Sequence, residues 1–262
     1  MIIKDEVVEL ETPQGSMRTY VYRPVAEGKY PGLVLFSEIF QQTAPIKRTA
    51  ALFAGHGFIV AVPEIFHELE QPGTVISYDT AGADRGNKDK ITKTVDSYDA
   101  DAKAVLTYLK SLPHCTGNLG SIGICIGGHL SLRAAMNPEV LAGVCFYATD
   151  IHKRGLGLGM KDNSLDRLKE IKAEMLMIWG KQDPHIPPEG RALIYQEMTK
   201  AGINFTWHEF NGQHAFMRDE GHRYDPELAL LCLQMAITLF RRKLGDGDKA
   251  PVGLGGPKET KH

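Results

Sequence analysis

The sequence predicts an α/β protein with a mostly parallel central sheet covered by helices on both faces. Three observations point there. Short β-branched runs alternate with longer stretches of helical period. A 262-residue chain with 43% hydrophobic residues can bury one large core. One strand runs through closely spaced glycines straight into a helix.

Taken in order, the first strands are 6–11 (EVVELE) and 17–23 (MRTYVYR), an antiparallel hairpin around the turn-rich Thr12-Pro13-Gln14-Gly15. Runs 32–37 and 57–62 follow as strands. Residues 67–92 lack a clean period and contain Pro72, Gly73, Gly82 and Gly86, which predicts a long loop or short helices over one end of the sheet. In 94–112, Val95, Tyr98, Ala102, Val105, Leu109 and Leu112 recur at helical spacing until Pro113 stops the run. Strands 119–124, 141–147, 174–179 and 204–210 complete the sheet, with a glycine-rich loop at 152–163 (HKRGLGLGMKDN). Asp225-Pro226-Glu227 is a helix start, and Gly245 closes that helix. Its Leu228, Leu231, Cys232, Met235 and Leu239 form the expected docking face. The expected organisation is one domain over residues 1–244 and a disordered Gly/Pro/Lys-rich tail over 245–262, with no internal repeat.

Composition excludes several functions. A formal charge of −2 without a local Lys/Arg cluster argues against a nucleic-acid partner. The N-terminus lacks the basic and apolar regions of a signal peptide, and no apolar run approaches the ~18 residues that span a bilayer. A soluble, cytoplasmic protein is expected, neither membrane-bound nor exported. Cys115, Cys125, Cys145 and Cys232 then read as reduced thiols, and the sequon at Asn204 carries little weight.

The stretch 120–129, GSIGICIGGH, carries the chemistry. A strand ending at Ile124 and a helix starting at once push the intervening side chain out of the sheet top. This needs small neighbours, here Gly123, Gly127 and Gly128. Cys125 then sits at a helix N-terminus, which favours a thiolate. Two alternatives are a glycine-rich turn around a buried cysteine and a nucleotide-binding loop. The latter lacks the first-βα position and the acidic partner about 20 residues on.

A thiol nucleophile needs a base and an orienting carboxylate, met in this architecture in the order nucleophile, acid, histidine. Asp183 follows strand 174–179 on a proline-flanked loop. Asp162 and Asp166 precede that strand, and Asp150 is the better rival. Of ten histidines, His214 follows strand 204–210 in a short loop before the last helix, with His185 second. His208 and His222 could join His214 around a metal, but no HxxxH or HExxH spacing occurs, so no metal is expected.

Cys125, Asp183 and His214, together with Ser37-Glu38-Ile39-Phe40, resemble the dienelactone hydrolase family (carboxymethylenebutenolidases) over about residues 15–243. The resemblance implies an α/β-hydrolase fold and a Cys-His-Asp triad that hydrolyses a small-molecule lactone or ester without a cofactor. It assigns Cys125 as nucleophile, His214 as base and Asp183 as its orienter. Glu38 becomes a switch that contacts the thiol at rest and takes its proton when an anionic substrate arrives. Such a contact would suppress oxidation of a resting thiolate. Backbone N–H groups of Ile126 and Ile39 would hold the oxyanion. Arg218 matches an arginine that binds the substrate carboxylate, Arg85 a second one, and Tyr147 and Phe40 pocket residues. Ala215, Gln41-Gln42 and both long loops depart from the family pattern near the pocket. A monomer or homodimer is expected. A promiscuous esterase or thioesterase on a bulkier neutral substrate is the alternative enzyme, and a ligand-binding protein of hydrolase fold the non-enzymatic one.

Overall fold

Alternation of polar and apolar side chains makes the two N-terminal strands a half-exposed hairpin. In the computed structural model, which describes residues 1–245, β1 (Ile3–Thr12) pairs antiparallel with β2 (Gly15–Pro24) around the expected turn. The expected tail past Gly245 lies outside the described residues. Next come β3 (Tyr30–Phe36), α1 (Ala44–Gly55), β4 (Ile59–Pro63), α2 (Thr80–Thr92), α3 (Val95–Ser111) and β5 (Cys115–Ile124). They are followed by α4 (Ile126–Ala134), β6 (Val140–Phe146), β7 (Glu174–Gly180), α5 (Pro188–Lys200), β8 (Phe205–Phe210) and α6 (Pro226–Leu244).

The eight strands form one sheet in the order β1-β2-β4-β3-β5-β6-β7-β8. From β4 to β8 every pairing is parallel, and only β1 and β2 run against their neighbours. Every residue of β3 and β4 is buried, as expected for parallel strands covered on both faces. The fold is that of the α/β-hydrolases. No helix among the described residues is long and apolar enough to cross a membrane.

Three helices go beyond the sequence expectation or shift it. Within 67–92 the chain forms a regular helix, α2, capped by the Asp79 carboxylate accepting from the Gly82 N–H at 2.7 Å. It buries only Gly82, Gly86 and Asp89. A Cβ at Gly86 would stand 2.4 Å from the Ile39 carbonyl oxygen, so α2 packs through a bare backbone stripe that leaves no apolar period to read. α5 was unmarked for a similar reason: its buried side includes Gly190 and Arg191 beside Ile194 and Met198. On α6 the buried face is Ala229, Cys232, Ala236, Ile237, Leu239, Phe240 and Leu244, whereas Leu231, expected inside, is 48% exposed. The two alanines let α6 lie close against β5, β6 and β7, and Phe240 meets the Phe53 and Phe58 rings.

The segment that carries α2 is tied down by charge. Lys93, with a side chain 0% exposed, places its Nζ 2.6 Å from Asp101 and 2.7 Å from Glu68. His67 Nε2 lies 3.1 Å from the other Asp101 oxygen, and the Ser97 hydroxyl donates to Glu68. Removing the one ammonium strands the buried Asp101 carboxylate and leaves the more exposed Glu68 without its cation. Lys93→Met is therefore expected to cost about 3–5 kcal/mol, read as a lower urea midpoint.

Candidate active site

The turn between β5 and α4 is set by backbone contact. A Cβ at Gly123 would fall 1.8 Å from the Gly127 oxygen, and one at Gly127 2.1 Å from the Phe36 oxygen. With strand and helix this close, Cys125 is forced to φ 62° and ψ −122°, a strained conformation for a residue bearing a Cβ. Its N–H donates to the Phe146 oxygen at 3.1 Å, and its own oxygen accepts from Gly128 at 3.0 Å and Thr149 at 3.2 Å. The thiol faces a cavity of about 560 Å³ at the carboxyl end of the sheet. All four cysteines are free and buried.

His214 and Glu38 line the same cavity. His214 Nδ1 lies 2.6 Å from Asp183 Oδ2, and Asp183 Oδ1 accepts the His185 N–H at 2.8 Å. Burial lowers the His214 pKa, but the charge and hydrogen bond of Cys125, with those of Asp183, outweigh it and push the imidazole up to about 10. The rival acids are occupied elsewhere. Asp150 pairs with Lys90 and Lys153, Asp162 bonds the Leu156 and Ser164 N–H groups, and Asp166 pairs with Arg154. His185 packs edge-on against the His214 ring at 4.5 Å, and His208 stacks on Phe210 away from the cavity.

Glu38, with a side chain 3% exposed, meets Tyr78 and Arg218. The Tyr78 hydroxyl donates to Oε2 at 3.1 Å, and Arg218 Nη1 stands 3.9 Å from Oε1. Burial raises the Glu38 pKa, and Arg218, His214 and Tyr78 only partly offset it. The expected resting contact with the thiol is not a hydrogen bond here, because a cation and a protonated phenol compete for the same carboxylate. Arg218 lies 4.2 Å over the Tyr78 ring and 5.8 Å from that of Phe40, and its Nε donates to the Glu220 oxygen. Sequence reasoning missed Tyr78. It is the only Phe, Tyr or Trp from His67 to Thr92, and a lone ring in a polar stretch was the available signal.

Of the other expected pocket residues, Ile39 and Phe40 line the cavity. Ile126 opens α4, where the first N–H groups have no intrahelical acceptor. Arg85 is not brought there. Its guanidinium is paired with Glu70, and the α2 residues facing the cavity are Thr80, Ala83, Asn87 and Lys90. Their spacing of four and three turns one helix side inward and Arg85 to another. Tyr147 lies beneath the cavity, its ring 5.0 Å from that of His214 and 5.1 Å from that of Phe216. Metal-ligand types come within 4.8 Å of one another in two sets, Asp183 with His185 and His214, and His67 with Glu68 and Asp101. Both Asp183 oxygens are already bonded in the first, and the Lys93 ammonium takes the cation's place in the second.

Comparison with known proteins gives one consistent result. The model of the dienelactone hydrolase family matches residues 17–244. A Saccharomyces cerevisiae protein provisionally named a carboxymethylenebutenolidase is 41% identical over 93% of this chain and 93% of its own. The carboxymethylenebutenolidase of Pseudomonas putida is 26% identical over 82% of this chain and 87% of its own. A crystal structure from Klebsiella pneumoniae, provisionally named a dienelactone hydrolase, superposes with a TM-score of 0.82 at 21% identity, covering 92% of this chain and all of that one, which supports the fold.

Because the His214 pKa is raised in the fold, its stabilisation is fully present below about 6.5 and is lost as pH rises through about 10. The stability difference between wild type and Asp183→Asn should accordingly shrink between pH 7 and pH 10, read from urea midpoints across that window.

Proposed function

The chain belongs to the dienelactone hydrolase family and is an ester or lactone hydrolase, and on that premise we propose that it cleaves a small carboxylate-bearing lactone or ester through Cys125, His214 and Asp183. The observation that carries this reading is the 2.6 Å bond from Asp183 to His214 beside a thiol held on a strained turn.

In the first half-reaction the Cys125 sulfur attacks the substrate carbonyl carbon and His214 holds the thiol proton. The Asp183 bond to Nδ1 fixes the ring so that Nε2 faces the sulfur. Negative charge gathers on the carbonyl oxygen, where the N–H groups of Ile126 and Ile39 stabilise it. The tetrahedral species collapses by breaking the ester C–O bond, and His214 protonates the departing alkoxide. In a lactone that alkoxide stays tethered to the acyl chain. Water then attacks the thioester, giving its proton to His214 and releasing the carboxylic acid and the thiol.

Arg218 would take the substrate carboxylate. Its position over Tyr78 and near Glu38 suits that role, since the planar guanidinium is already oriented and largely desolvated. An anion arriving there competes with Glu38 for the guanidinium. The buried Glu38 carboxyl, whose pKa is already raised, then loses part of its compensating charge and binds a proton more readily, while the thiol proton stays with His214. The roomy cavity favours a second reading, a bulky neutral ester, which needs no anion contact.

Two measurements decide between these outcomes. Cys125→Ala should abolish turnover of dienelactone and p-nitrophenyl esters and the trapping of an acyl adduct by mass spectrometry; wild-type rates in the variant would end the proposal. Arg218→Ala should raise KM for anionic esters about 10–100-fold and leave neutral esters little affected. Equal effects on both classes would favour the neutral substrate.

A further inference from the structure

Three strand ends define the cavity. Cys125 follows β5, Glu38 follows β3 and Asp150 follows β6. In the sheet β5 lies between β3 and β6, so Glu38 and Asp150 flank the thiol on opposite sides. Each flank carries its own cations. On the β3 side Arg218 stands by Glu38. On the β6 side Lys90 and Lys153 both lie on Asp150, at 2.9 and 2.8 Å.

The second cluster is a built feature. Asp150 holds φ 67°, a left-handed conformation that aspartate tolerates better than most residues. Its side chain is 3% exposed, while those of Lys90 and Lys153 are 13% and 56% exposed. Burial raises the Asp150 pKa, but the two ammonium groups win and hold it down at about 2. The carboxylate is thus ionised and answers only one of two positive charges. Each ammonium has three donors and spends one on Asp150. Asp150, Lys90 and Lys153 all line the cavity that contains Cys125.

We infer that Lys90 and Lys153, positioned by Asp150, form a second anion subsite, so that the preferred substrate carries two carboxylates, one on either side of the scissile carbonyl. The inference rests on the reading that this cavity is the hydrolytic site. Two inter-strand spacings separate β3 from β6, so the strand ends that lead to Glu38 and Asp150 stand roughly 10 Å apart, a span a long dicarboxylate can bridge. A monoanionic ester fills the Arg218 side and leaves the lysine side to water. A dianionic one satisfies both, and each carboxylate on the lysine side displaces part of the hold on Asp150 without leaving it unpaired. Lys153 belongs to the glycine-rich loop 152–163.

The test is direct binding, which is independent of turnover. Suberate, a long straight dicarboxylate, and octanoate, its monoanionic counterpart, are titrated calorimetrically into the full-length protein at low ionic strength, where such contacts are least screened. Wild type should bind suberate about tenfold tighter than octanoate. In Lys153→Gln, a change on a half-exposed loop residue that spares the core, that ratio should fall severalfold, and in Lys90→Gln to about one. Equal binding of the two ligands by wild type, or an undiminished ratio in both variants, would overturn the inference. Ester turnover on the same preparations separates the two levels. A suberate preference without hydrolysis of any ester supports the subsite and sinks the hydrolytic reading; hydrolysis without a suberate preference does the reverse.

Discussion

The near-collision of β5 with α4 is the constraint on which the site depends. Gly123, Gly127 and the Phe36 carbonyl leave no room for a single extra carbon, and the backbone passes between them only if Cys125 adopts a positive φ. That conformation costs free energy, which the surrounding packing must offset. In return the thiol is lifted from the sheet to the mouth of the cavity, at the start of a helix whose first N–H groups point the same way. The α4 residues are all buried, so the turn cannot relax by letting the helix move away.

Around the thiol the protein distributes charge so that no buried ion stands alone. Asp183 answers His214, Arg218 and Tyr78 answer Glu38, and two lysines answer Asp150. In a poorly solvated cavity such pairs interact far more strongly than at the surface, and each carboxylate also fixes the direction of its partner. Placing them past the ends of β3, β6 and β7, around the Cys125 end of β5, gives the cavity a positive group on both flanks of the nucleophile. The Lys93 cluster acts at one remove. It anchors the segment that delivers Tyr78 to Glu38 and Lys90 to Asp150.

Elements with a strong internal pattern were legible. The hairpin, the later strands and α3 follow from alternation, period and proline, all of which act between near neighbours in the chain. The elbow was legible for the same reason, since its glycines, nucleophile and helix start are consecutive. α2 was not, because it packs through Gly82 and Gly86 against backbone and has no apolar stripe. The rotation of α6 was misjudged at Leu231, where small alanines rather than leucines set the docking face. The family resemblance places Arg85 in the pocket, yet helix rotation turns it to Glu70.

The sequence by itself determined the layered α/β fold, the sharp turn at Cys125 and the order in which an acid and a histidine follow it, because these rest on local periodicity and on spacing along the chain. Only the tertiary structure decided which charges face the thiol. Tyr78, Lys90 and Lys153 reach the cavity and Arg85 does not, and Glu38 bonds Tyr78 in place of Cys125. These outcomes depend on the rotation of α2 about its axis and on which strand ends lie side by side. Both are set by packing between segments far apart in sequence, which no local pattern records.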